Sequence, residues 1–270
     1  MPELPEVQTV VDHLRADLVG EKISAIKAIW PKVLHNFDQN DLFNNNHGQE
    51  IKDVMRRAKF IILQLPSSLL AIHLRMTGKL YLSNEEIPKH TSAIFELESG
   101  KKIIFDDTRK FGRIYLYKDL SLINKSHGIE PLSAEFTKDW LFTELKKKKR
   151  NIKALLLDQS FIAGLGNIYV DESLWVSGIH PNSISNTIPK IRMIKLHHAI
   201  QIILMDAIAA KGTTIINFSF LNGQSGNYAN QLRIFGRSKE PCLKCKCEIE
   251  KIRVAGRGTY LCNQCQRKYK

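Results

Sequence analysis

The chain has 270 residues, 43% apolar and 25% charged, which excludes general disorder and is too long for one small module. Forty Lys and Arg against 27 Asp and Glu leave a formal net charge of +13. An excess of that size points to a polyanion, nucleic acid first and an anionic membrane surface second, with a merely basic surface as the plain alternative.

No apolar run approaches the ~18 residues of a spanning helix. The first residues, with Glu3, Glu6, Asp12, Arg15 and Asp17, do not resemble a signal peptide. The expected location is the cytoplasm, where disulfides are rare.

Leu4, Val7, Val10, Val11, Leu14 and Leu18 repeat at three- and four-residue spacing, which predicts a helix over 4–18. Pro2 and Pro5 suit its start and Gly20 its stop. From about 23 to 117 the pattern is short and strand-like. Strands are expected at Ile23–Ile26, Phe60–Leu65, Leu69–Leu74, Ile94–Leu97, Lys102–Phe105 and Arg113–Tyr117, with turns at Pro66-Ser67-Ser68 and Glu98-Ser99-Gly100. Many short strands imply a β-sandwich or barrel.

Past about 120 the period turns helical. Glu130-Pro131-Leu132-Ser133 reads as a linker and helix start, and Lys146–Arg150 as a solvated helix face. Helices are expected over 151–159 and 167–177, around Ala163-Gly164-Leu165-Gly166, and over 189–210.

All five cysteines fall between 242 and 265. Cys242-x-x-Cys245 and Cys262-x-x-Cys265 match a four-thiolate zinc site. Four sulfurs leave no open position, so one structural Zn2+ is expected. Cys247 is a spare thiol that could compete for the metal in place of Cys245. Between the pairs, Gly256-Arg257-Gly258 sets an arginine at a tight turn, suited to a phosphate or a groove or else simply solvated.

The opening Met1-Pro2-Glu3-Leu4-Pro5-Glu6-Val7 is by itself a helix start with acids on the dipole. With Arg57–Phe60, His73–Gly78, Asp107–Gly112, Ala163–Glu172 and the cysteine pairs, it resembles the formamidopyrimidine-DNA glycosylase family along essentially the whole chain. Leu4, rather than glycine, resembles the oxidised-purine branch.

The resemblance implies an α+β multidomain fold. Residues 1–125 would hold the catalytic helix and β-sandwich, 126–232 a helix-two-turn-helix DNA-binding domain, and 233–270 a β-hairpin zinc finger. It implies a bifunctional DNA glycosylase and abasic-site lyase for base-excision repair of 8-oxoguanine and formamidopyrimidines. The partner would be double-stranded DNA with oxidised bases or abasic sites, bound by a monomer and no membrane. Pro2, freed by loss of Met1, would be the nucleophile and Glu3 the acid–base group. Glu6 would orient the N-terminus. Lys59, whose sequence alone suggests a solvated strand end, would contact a phosphate.

Met76, Arg109 and Phe111 would fill the void left by a flipped base, with Arg109 and Phe111 pointing the same way from an extended loop, although Met76 and Phe111 taken alone read as ordinary core packing. Asn167, capping its helix, would bind phosphate together with His73 and Arg257. The segment 217–227 resembles a lesion-capping loop. Lys89-His90-Thr91-Ser92 stands where many relatives carry Lys-His-Asp-His, and Thr77 where some carry glutamate. The alternatives are an endonuclease VIII-like enzyme for oxidised pyrimidines and a non-catalytic damaged-DNA-binding protein on the same fold. A zinc-ribbon RNA-binding or transcription factor would leave the first hundred residues unexplained.

Overall fold

A computed structural model describes residues 1–39, 41–42, 49–84, 86–213 and 226–270. The lesion-capping loop expected at 217–227 falls almost wholly outside them. The chain divides into two compact units, Met1–Lys125 with Lys211–Gly226, and Ser126–Ala210 with Asn227–Lys270.

The first unit opens with helix α1 (Leu4–Leu18), whose apolar stripe is buried as the spacing predicts. Glu3, not a proline, is the N-cap. Pro2 therefore precedes the helix instead of belonging to its first turn, and Pro5 alone serves as the helix-start proline.

Among the described residues nine strands follow: β1 (Lys22–Ala28), β2 (Gln49–Glu50), β3 (Asp53–Arg57), β4 (Phe60–Gln64), β5 (Leu69–His73), β6 (Gly78–Ser83), β7 (Thr91–Leu97), β8 (Lys102–Asp107) and β9 (Arg113–Tyr117). They form two antiparallel sheets, ordered β2-β1-β7-β8-β6 and β3-β4-β5-β9. The inner faces of both sheets and α1 share one core, with Val10, Leu14, Ile23, Ile61, Ile72, Phe95 and Phe105 in it. Strands β4 and β5 read as continuous apolar runs because they are buried on both faces. Strands β2, β3 and β6 lie outside the expected set. β3 carries Asp53, Arg56 and Arg57, so it lacks an apolar run.

The second unit is helical, with α3 (Lys138–Lys146), α4 (Ile152–Leu157), α5 (Asn167–Ser177) and α6 (Lys190–Ala209); the short α2 (Ser121–Ser126) lies at the boundary. Glu130–Ser133 does not start a helix. α3 begins after Thr137, whose hydroxyl caps Trp140 N–H at 3.0 Å. The basic run is not a helix face either. α3 ends at Lys146, and 147–150 turn back into α4, with the Lys148 carbonyl held by Ser185.

Between α4 and α5 two turns are stapled by Gln159. Its Nε2 donates to Leu165 O at 2.8 Å and its Oε1 accepts Gly164 N–H at 3.0 Å. The unit ends in a hairpin of β10 (Glu250–Val254) and β11 (Arg257–Leu261). Among the described residues no helix is long and apolar enough to cross a membrane.

Candidate functional site

Strand register decides which loops meet in the first unit. Phe60 pairs with His73, and His73 pairs with Arg113. One end of the four-stranded sheet therefore carries the Ala58-Lys59 turn, His73 with the 74–77 segment leaving it, and the 108–112 segment entering at Arg113. α1 packs on β3 and β4. Gln8 accepts from Arg56 Nε at 2.9 Å, and Arg15 pairs with Asp53 at 2.9 Å. Seven helical residues and three strand residues both span about 10 Å, so α1 runs alongside β3 with its N-terminus toward that same end.

Pro2, Glu3 and Glu6 are buried there. Glu6 holds the start of the chain from two sides. Its Oε2 accepts Glu3 N–H at 2.9 Å. Its Oε1 accepts Thr213 N–H at 2.8 Å and the Thr213 hydroxyl at 2.9 Å. A carboxylate given three donors is a rigid strut and not only a dipole partner. Lys59 is not a solvated strand end. It is 5% exposed, in a turn that Ala58 makes at φ 53°. His73 Nδ1 accepts Arg75 N–H at 3.0 Å, which places the proton of the neutral ring on Nε2. The ring stands edge-on to Phe60, centroids 4.9 Å apart.

Met76, Arg109 and Phe111 do come together. The Arg109 guanidinium lies 4.6 Å from the Phe111 ring centroid and donates to Met76 Sδ at 3.2 Å. Met76 is 44% and Phe111 46% exposed, large apolar tips turned to solvent. The loop is not extended. Lys110 sits at φ 57°, and this left-handed residue folds Arg109 and Phe111 over the same side.

The other candidates lie in the second unit. Asn167 does not cap α5. Gly166 is the N-cap, and Asn167 Nδ2 instead donates to Gly258 O at 2.9 Å. This bond sets the exposed Arg257 turn beside the α5 N-terminus, the positive end of the helix dipole.

Below it lies an ion pair that sequence reasoning missed. Lys153 Nζ meets Asp171 Oδ1 at 2.6 Å and Thr259 Oγ1 at 2.7 Å, with no exposure of either charge. Asp171 Oδ2 accepts Tyr260 N–H at 3.0 Å. Burial pushes the Asp171 carboxyl up to about 6, against the pull of Lys153 and Tyr260. Glu172 Oε1 accepts the N–H groups of Arg233, Ile234 and Phe235 at 3.0, 2.8 and 2.9 Å. Of these adjacent acids on α5, Asp171 thus ties the helices to the hairpin and Glu172 to the 233–235 segment that precedes it.

Lys153→Met strands a buried carboxylate, so denaturant unfolding should show a loss of about 3–5 kcal/mol. Adding Asp171→Leu should recover much of it. An unchanged midpoint in Lys153→Met would refute this.

The sulfurs of Cys242, Cys245, Cys262 and Cys265 all lie within 4.8 Å of one another, with Cys242–Cys265 at 3.8 Å and Cys245–Cys262 at 3.4 Å. A ZnS4 tetrahedron with Zn–S of about 2.3 Å has edges of about 3.8 Å, so the four fit one structural zinc ion. Burial raises the Cys242 thiol, but the N–H groups of Cys245 and Lys244 outweigh it and hold it below the ordinary thiol range, while burial pushes Cys262 and Cys265 up. Cys247 is exposed and stands outside the four.

Family models match in the same order along the chain. The formamidopyrimidine-DNA glycosylase N-terminal domain matches residues 1–114, the H2TH domain of the same family 127–219, and the zinc finger found in FPG and IleRS 239–267. The formamidopyrimidine-DNA glycosylase of Pelotomaculum thermopropionicum is 40% identical over 99% of both chains, and that of Lactobacillus helveticus 41% over the whole of both. The chain belongs to the formamidopyrimidine-DNA glycosylase family.

Among solved structures, MutM in complex with carbocyclic 8-oxo-G containing DNA is 37% identical, with a TM-score of 0.90 over 99% of this chain and 100% of that one. The Lactococcus lactis formamidopyrimidine-DNA glycosylase, bound non-covalently to DNA containing an AP site, gives 36% and 0.89 over 98% and 100%. Within this family framework, the sequence signal that could have found Asp171 and Glu172 is two adjacent acids in an otherwise apolar helix, since buried charge needs partners.

Proposed function

We propose that this chain is a base-excision repair enzyme, a DNA glycosylase and abasic-site lyase that removes oxidised purines from double-stranded DNA. The carrying observation is the convergence, at one end of a sheet, of a buried Pro2-Glu3 start, a buried Lys59 and an exposed Met76–Arg109–Phe111 wedge. A sensor needs the wedge but not the buried helix start.

Loss of Met1 exposes the secondary amine of Pro2, whose unperturbed class titrates at about 7.7–8.0, so a usable fraction is neutral near pH 7. The nitrogen lone pair attacks C1′, and the damaged base leaves with the electron pair of its bond to C1′ and takes up the proton that the amine gives off. Glu3 gives a proton to the ring oxygen as the sugar opens, leaving an iminium. The iminium draws electrons from C2′ as a proton leaves, and the 3′ and then the 5′ phosphate depart by β- and δ-elimination. Glu6 holds the Glu3 backbone in place meanwhile.

The lesion base is flipped out at a cost of a few kcal/mol. Met76 and Phe111 occupy its place in the stack, and Arg109 bonds the orphaned opposite base. Lys59 and His73 in the first unit and Asn167 and Arg257 in the second bind phosphates of the bent strand. Zinc, when bound by its four cysteines, supplies structure and no chemistry.

The working parts are then 1–125 for catalysis, 126–232 for helix-two-turn-helix binding, and 233–270 for the finger. The enzyme works as a monomer in the cytoplasm, on nucleoid DNA.

Borohydride reduction during reaction with an 8-oxoguanine duplex should leave a covalent adduct mapping to Pro2. Faster cutting of an 8-oxoguanine than of a thymine glycol duplex should accompany it. Fully processed, zinc-loaded protein that gives no adduct would overturn the assignment, and the reverse preference would place the enzyme with the oxidised-pyrimidine branch.

A further inference from the structure

Asp107 closes β8 with no exposure at all, yet its sequence context offers no role beyond a loop motif. Its carboxylate joins the two halves of the wedge. Oδ1 accepts the Thr77 hydroxyl and, at 3.2 Å, the Arg109 N–H. Oδ2 accepts Gly112 N–H at 2.7 Å. The Arg109 N–H also reaches Thr77 Oγ1 at 3.2 Å. Met76 adjoins Thr77 and Phe111 adjoins Gly112, so one buried group holds the Arg109 backbone itself, the Gly112 backbone beside Phe111 and the Thr77 side chain beside Met76.

The turn is braced below as well. Lys110 Nζ donates to the carbonyls of His90 and Thr91 at 2.8 and 2.9 Å and meets Ser92 Oγ at 3.2 Å. Arg113 donates to the carbonyls of Lys110 and Gly112 at 3.0 and 2.6 Å while its guanidinium stacks 4.8 Å over Trp30. Gly112 is required by close approach, since a Cβ there would collide with the Phe105 ring and stand 3.2 Å from Asp107 Oδ2. The loop is therefore built rigid at its base and exposed only at its tips.

We propose that Asp107 is the positioning residue of the base-flipping wedge, and that Thr77 serves this carboxylate instead of the lesion. The carboxylate holds Met76, Arg109 and Phe111 in their inserting arrangement before DNA arrives, so the ordering cost is met on folding and not on binding. Thr77, which stands where some relatives carry glutamate, is committed to Asp107. Ser92 and its neighbouring carbonyls, in the divergent Lys89–Ser92 segment, are committed to Lys110. The proposal rests on the base-flipping reading above.

The test is single-turnover cutting at saturating protein on two duplexes. One carries 8-oxoguanine opposite cytosine, where a paired base must be extruded. The other carries an abasic site, where none must. Asp107→Asn keeps the shape but cannot accept from both sides. It should slow the 8-oxoguanine duplex by about tenfold or more, the scale of one lost charged hydrogen bond, and leave abasic cutting within about twofold. Thr77→Val should show the same selective loss at smaller size, and Thr77→Ser should restore the wild-type ratio.

Equal loss on both duplexes in folded, zinc-loaded Asp107→Asn, or no loss on either, would overturn the proposal. Should Asp107→Asn not fold, Thr77→Val against Thr77→Ser decides by the same ratio. Wild-type protein that never cuts 8-oxoguanine would instead defeat the functional reading, a separate outcome.

Discussion

Protein that keeps Met1 will bind an abasic or 8-oxoguanine duplex and leave it uncut. In that form the Pro2 nitrogen is an amide. Its lone pair is delocalised into the Met1 carbonyl and is no longer a nucleophile. Pro2 is also buried, so an added residue has to be accommodated at the mouth of the helix start, where Met1 is 48% exposed. Nothing in the Met76–Arg109–Phe111 wedge or in the Arg257 turn held by Asn167 depends on the free amine, so affinity should survive. Excision and borohydride trapping should fall together, on the order of 10^6-fold, as when a covalent nucleophile is removed. Gel-shift affinity and trapping, measured side by side on processed and unprocessed protein, check this. Equal trapping by both forms would assign the chemistry to another amine, with buried Lys59 the first to examine.

Removing zinc should have the second large effect, on folding and binding rather than chemistry. A four-thiolate site in a small module supplies about 10–16 kcal/mol of apparent folding energy at neutral pH. Here the cysteines form part of a small core with Trp175, Ile234 and Ile249, so loss of the metal also loosens the seat of α5. Cys262→Ser, or a strong chelator, should unfold the β10–β11 hairpin and free the Arg257 turn from Asn167. DNA affinity should fall on the order of 10^2-fold as phosphate contacts are lost. Cys247→Ser should change neither metal content nor affinity. Metal content, far-ultraviolet dichroism and duplex binding together measure the outcome, and a chelated protein with native melting and native affinity would refute it.

Part of the site was legible because its chemistry is local. Two C-x-x-C pairs announce a zinc site wherever they lie, since the spacing within each pair already presents two sulfurs to one metal. The α1 stripe and the β4 and β5 runs were legible for the same reason: periodicity and length act within a few residues. Lys59 was not, because a turn lysine looks solvated until the left-handed Ala58 tucks it in. Asn167 misled in the other direction. A polar residue after Gly-Leu-Gly reads as a cap, whereas Gly166 fills that place and frees the amide for Gly258.

By itself, then, the amino-acid order determined the strongly periodic elements, such as α1, β4, β5 and α6, the metal ligands and, through five separated motifs, the family. Only the tertiary structure decided which groups work together. Arg109 and Phe111 share a side through a tight turn and not through strand alternation. Asp107 joins residues from two strand ends, Glu6 reaches Thr213, and Lys153 reaches Thr259. The physical reason is one of range. Propensity and spacing act over a few neighbours, but a buried charge is stabilised by whichever partners the fold brings to it, and those partners lie far along the chain.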